Sequence, residues 1–241
     1  MSSDGLEVVD ANIVILPEEP LKQHEIVNAM SLFERRELAS FMRKPLTINQ
    51  GLNLDLTLGA AVGTFQIESM RSQKTISLST VRIEVHDRSG NDDPESTQIP
   101  EMMFALANAF DIKLTKAIGA NWEVMFKSRE GVTASKEIVE KLLQQAIVEK
   151  LLQQAAGLLP KDMGLVGGAA RLFLSDPSGV AYTLAIEPRL QNPQTDELWL
   201  TCNANLTSPE DFSIGLLKEM FQQSHHLLFE VKESLFPAPQ P

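Results

Sequence analysis

Few side chains in this 241-residue sequence could do chemistry. The histidines are His24, His86, His225 and His226, and Cys202 is the one thiol. A single cysteine excludes both an intramolecular disulfide and a cysteine-rich zinc site. Cys202 alternates with Leu200 and Ala204, a pattern that puts it on the buried face of a strand and argues for a packing role over a nucleophilic one. His225 and His226 diverge by about 100° on a helix and cannot chelate one ion together. Glu230 follows His226 by one turn and is expected to pair with it.

Carboxylates are densest between Asp87 and Glu95, directly after His86. Asp87, Asp92 and Asp93 with His86 could attract a divalent cation and support metal-assisted hydrolysis. The loop is not an EF-hand, because Gly90 falls at the fourth position where that motif needs glycine at the sixth. A solvated hairpin loop is the competing reading. Gly164 to Gly168 has the glycines of a phosphate-binding turn but no lysine, and it precedes a strand where such a turn needs a helix N-terminus. Neither a Gly-x-Ser-x-Gly elbow nor a His-Glu-x-x-His pair is present. No catalytic set and no cofactor are implied.

The elements that would position these groups follow from periodicity. Glu7 to Leu16 is β-prone. His24 to Met42 places Ile26, Val27, Met30, Phe33, Leu38 and Phe41 near one helical stripe, closed by Pro45. Leu52 to Leu58, Phe65 to Ile67, Ile76 to Leu78 and Val81 to Val85 alternate apolar with polar, as strands of an antiparallel meander do. A helix is expected from Pro100 to about Phe110, then a half-buried strand containing Ala120, Trp122, Val124 and Phe126. Ser135 is a candidate N-cap for a helix reaching about Ala156, which Gly157 and Pro160 end. Three short strands follow: Ala170 to Leu174, Val180 to Ile186 and Leu198 to Leu206. Ser208-Pro209-Glu210-Asp211 resembles a helix start, so a long C-terminal helix is expected from there to about Leu235. The pattern predicts an α+β fold of two lobes, residues 1–130 and 131–241, each an antiparallel sheet packed against helices.

Composition narrows the partners. A net charge of -11, from 32 acids against 21 bases, repels phosphate backbones, and the basic residues never exceed the pairs Arg35-Arg36 and Arg43-Lys44. Nucleic acid is not expected as a partner. Apolar stretches are too short and too interrupted to span a bilayer, so no membrane is expected either. Met-Ser-Ser-Asp-Gly has no secretory character, and a cytoplasmic address is the expectation.

Two features point to association. Ile138 to Ala146 is followed at once by an identical nonapeptide, Ile147 to Ala155. Nine residues turn a helix by about 900° and lengthen it by roughly 13.5 Å, so the second apolar set opposes the first. Leu142 and Leu143 would face one way, Leu151 and Leu152 the other; either the insertion is a tolerated surface extension with no role, or both faces are covered, by the two lobes or by a second protomer. Trp199 lies on the strand register opposite Cys202, the more exposed one, where a tryptophan commonly marks an interface, with packing beneath a helix of its own chain as the competing reading. With Phe221 on the C-terminal helix stripe, these residues (Trp199, Leu151, Leu152, Phe221) form the expected interface of a homodimer. A non-enzymatic binding or oligomerising protein is thus the leading expectation. A metal-assisted hydrolase and a holdase-type chaperone for extended apolar segments are the alternatives.

The strand Lys116-Ala-Ile-Gly-Ala-Asn-Trp-Glu-Val-Met-Phe126 after a helix, and the ending from Leu198 through Phe229-Glu-Val-Lys-Glu-Ser-Leu-Phe236, resemble in layout a sporadically distributed family of uncharacterised bacterial proteins of about 250 residues. The resemblance implies a mid-chain strand and a late strand followed by a C-terminal helix. It implies no site residues.

Overall fold

The computed structural model describes residues 6–22, 24, 26, 40–55, 60–142, 169–189 and 194–237. The described strands are β1 (Glu7–Pro17), β2 (Leu46–Asp55), β3 (Ala60–Ser69), β4 (Lys74–Leu78), β5 (Ile83–Asp87), β6 (Thr115–Lys127), β7 (Ala170–Ser175), β8 (Ala181–Pro188) and β9 (Glu197–Thr207). The described helices are α1 (Pro94–Thr97), α2 (Ile99–Ala109), α3 (Ala134–Leu142) and α4 (Ile214–Leu235). All nine strands join one antiparallel sheet in the order β2-β3-β4-β5-β1-β6-β9-β8-β7.

The α+β class and the long C-terminal helix match expectation, but the sheet is continuous where two separate sheets were expected. The seam is the β1–β6 pair, in register from Ala11 opposite Trp122 to Leu16 opposite Ala117. Alternation in the sequence says which face of a strand is buried and nothing about which strand lies beside it, so this long-range pairing was hidden. The expected boundary at residues 130 and 131 falls just past β6.

Each half nevertheless repeats one plan. Outward from β1 lie β5, β4, β3 and β2; outward from β6 lie β9, β8 and β7. In both halves the first strand sits mid-sheet, the rest form an antiparallel meander, and the last returns to pair with the first. A helix then crosses the same face: α2 contacts β5 and β1, and α4 contacts β9, β6 and α2. The core lies between that helix layer and the sheet, with Ile13, Ile15, Met102, Met103, Trp122, Leu200, Phe221 and Leu228 essentially inaccessible.

Local chemistry sets the helix starts. Asp93 caps α1, its carboxylate accepting from the Glu95 amide at 3.1 Å with Pro94 in the first turn. Ser213 caps α4 by accepting from the Leu216 amide at 3.3 Å. This start lies five residues beyond the expected Ser208, which instead has φ +49 and donates its amide to the Lys116 carbonyl of β6. For α3, the Thr133 hydroxyl accepts from Lys136 at 3.4 Å, while Ser135 is buried inside the helix. Thr133 thus takes the capping role expected of Ser135, and the Ala134 amide that follows it donates to the Thr195 carbonyl at 2.8 Å. Of the expected helix over His24 to Met42, only His24, Ile26 and the residues from 40 on are among those described. The second nonapeptide, with Leu151 and Leu152, and the Gly164 to Gly168 connector lie outside the described residues. Among the described residues, no helix is long and apolar enough to cross a membrane.

Candidate functional site

The sheet face opposite the helices is polar, and pairing register aligns its side chains into rows. One row runs from His86 through Asn12, Asn121 and Asn203 to Thr183 and Phe173, each opposite the next on a neighbouring strand. Asn121 donates to Asn12 at 2.6 Å, and Asn12 donates to Asp10 at 2.8 Å. These amides arise from strict alternation: Ala120, Trp122 and Val124 turn into the core, so Asn121 and Glu123 must turn away from it.

His86 is the centre of charge on this face. Its Nδ1 lies 2.9 Å from Asp10 and its Nε2 3.2 Å from Glu84, and each of these three side chains is less than one-fifth exposed. Arg82 pairs with Glu84, and Arg88 lies 3.5 Å from Asp10. Burial alone would lower the imidazole pKa, but the hydrogen bonds to Asp10 and Glu84 outweigh it and push it up to about 9. His86 is therefore an imidazolium donating from both nitrogens. Below that pKa both ring nitrogens carry a proton and hold no lone pair for a base or a ligand. Next to it, burial and then the charges of Asp10 and Glu187 raise the Glu123 carboxyl.

The residues expected to form a hydrolytic centre are dispersed. Asp87 points to the core face, accepting from the Ser89 amide at 2.8 Å and lying 3.9 Å from buried Lys74. Asp93 caps α1. Asp92 presents its backbone carbonyl to His225, whose Nε2 donates to it at 2.7 Å. Among the described residues, no group of three or more His, Cys, Asp and Glu side chains is placed to hold a metal ion.

His226 pairs with Glu230 at 3.1 Å, as the spacing predicts. His225 is half-buried. It stacks on Phe229 at 4.2 Å and meets the Trp122 edge at 4.7 Å, and burial lowers its pKa against the weaker pull of the Asp92 carbonyl. The Nε2 that faces the Asp92 carbonyl carries a proton, since a carbonyl oxygen can only accept. Cys202 is buried as expected, and burial pushes its thiol up to about 12.

Of the expected interface residues, Phe221 is fully buried against Trp122 with ring centroids 4.7 Å apart, so the sheet of its own chain covers it. Trp199 occupies the polar face as its register requires, and it is half-buried. Arg189 lies over its ring at 6.0 Å while donating to Glu197 at 2.8 Å. Among the described residues, the run of apolar side chains most open to solvent is elsewhere. On β7, the outermost strand, Leu172 is 43% exposed, Phe173 76% and Leu174 45%. Sequence reasoning identified this strand and missed its surface, because Leu-Phe-Leu looks like a buried run until its place at the sheet edge is known. No protein-family model matches this sequence, and a search of curated proteins finds no match.

Proposed function

We propose that this chain is a non-enzymatic, cytoplasmic binding protein that takes a partner strand along the outer edge of β7, which no other described strand pairs. The observation that carries this reading is three consecutive large apolar side chains exposed on an outermost strand. Such an edge presents unpaired amides and carbonyls beside apolar side chains on both faces, which is the template for strand addition. Soluble proteins usually blunt such edges with charge, proline or a covering element. The β7 sequence Ala-Arg-Leu-Phe-Leu-Ser holds one charge and no proline. The dispersal of the acidic loop and the doubly occupied His86 ring support the non-enzymatic side of the reading.

The test is photocrosslinking from p-benzoylphenylalanine placed at position 173 in the native cell. An adduct at 173 is expected, absent when the same group replaces exposed Leu114, and lost when Leu174→Lys is added. Equal labelling from both positions, or none from 173, would overturn the reading.

A further inference from the structure

The internal repeat has a strand outside β3 and, among the described residues, none outside β7. Counting outward from the central β1–β6 pair, β5 corresponds to β9, β4 to β8 and β3 to β7. In the first half β3 is covered on its outer edge by β2, in register from Leu46 opposite Ser69 to Asp55 opposite Ala60. Among the described residues no strand lies outside β7, so the place corresponding to β2 is unfilled among them. Resting on the reading of β7 as a docking edge, we infer that the missing strand comes from a second copy of this chain, β7 pairing antiparallel with its own two-fold mate.

Self-pairing fits the residues in one register. Leu172 lies opposite Leu184, then Cys202, then Trp122, which places it on the helix-covered face, and Leu174 follows through Tyr182, Ala204 and Ala120. Phe173 lies opposite Thr183 and Asn203 on the polar face. A two-fold axis normal to the sheet keeps the helix layers of both copies on one side. Opposed residues in an antiparallel pair point to the same face, so residues of like parity must then meet. Centring the axis on Phe173 sets Phe173 against its mate and Leu172 against the mate's Leu174 twice over. Every exposed apolar side chain of the strand thereby gains an apolar neighbour, extending the core row on one face and covering the polar-face aromatic on the other. The ends agree in charge: Arg171 of one copy comes opposite Ser175 and beside Asp176 of the other. This contact is isologous and closes at two copies, whereas β7 pairing with β2 of another chain would run on as an open filament.

The purified 241-residue chain decides the matter by sedimentation and by engineered crosslinking. We expect a concentration-dependent species of twice 26.7 kDa. It should be promoted by salt, because two chains of net charge -11 repel at long range. Phe173→Asp opposes two carboxylates on the axis and should leave only monomer, with an unchanged far-ultraviolet spectrum. Phe173→Cys, in a Cys202→Ala background, should form an intermolecular disulfide on mild oxidation, and Leu114→Cys in that background should not. A single-chain mass up to 100 μM, or equal crosslinking from the two positions, overturns self-pairing. If the cellular adduct from position 173 then contains a different protein, strand addition stands and only the identity of the partner changes. If no adduct forms, both fall.

Discussion

Trp122 on β6 and Phe221 on α4 are bound twice, by rings 4.7 Å apart and by a hydrogen bond from the Trp122 indole to the Phe221 carbonyl at 3.1 Å. That carbonyl also accepts from the Ser224 hydroxyl at 3.0 Å. A bulky aromatic thus satisfies its one polar atom on the helix that covers it, fixing the position of α4 on the central strand.

Phe221→Ala should therefore cost about 3–5 kcal/mol, the usual range for emptying a buried aromatic site. Trp122→Phe should cost less, because it keeps much of the volume and loses the indole donor. Urea denaturation of both variants provides the measurement. Equal, small losses would show that α4 is held elsewhere.

The His86 clamp makes stability depend on pH in a defined window. The folded pKa, about 9, lies above the ordinary histidine value of 6.5. The contribution is fully present below about pH 6.5 and fades as pH rises through 9. Its ceiling is on the order of 3 kcal/mol. The stability difference between the parent chain and His86→Gln should accordingly shrink between pH 6.5 and 9.5. A difference that is flat or grows over that range would mean the ring is neutral in the folded protein.

Cys202 lies inside the sheet core with its thiol pushed up to about 12 by burial. A thiol reagent should modify the native protein only at the rate at which the sheet opens, far below that of a free thiol. Addition of denaturant should restore the full rate.

How much was legible follows from which signals are local. The strands carrying Trp122 and Cys202 were readable because their alternation is complete, and alternation alone set Cys202 inward and Trp199 outward. The His226–Glu230 pair follows from helical spacing. By contrast, the pairing of Asp10 with His86 joins residues 76 apart in sequence, and no local pattern encodes it. The acidic loop misled for a related reason. Asp87 and His86 are neighbours in sequence, yet a strand sends adjacent side chains to opposite faces. The start of α4 was placed early because Ser208-Pro209 has the composition of a cap, while the bond from the Ser208 amide to Lys116 holds that residue in the turn leaving β9.

Asp87 separates a structural carboxylate from a metal ligand. It lies 3.9 Å from the Lys74 ammonium, both side chains are less than one-tenth exposed, and Lys74 also donates to the Thr97 carbonyl. Burial lowers the Lys74 pKa, and the charge of Asp87 opposes that shift. Removing one partner of such a pair strands the other charge, so Asp87→Asn alone should destabilise by about 3–5 kcal/mol. Lys74→Met with Asp87→Leu should cost clearly less than the sum of the two single changes, because no charge is left unpaired. In a thermal-shift series against divalent cations, the parent chain and the double variant should respond alike. If added cation stabilises the parent alone, Asp87 is a ligand and its bond to Lys74 is secondary.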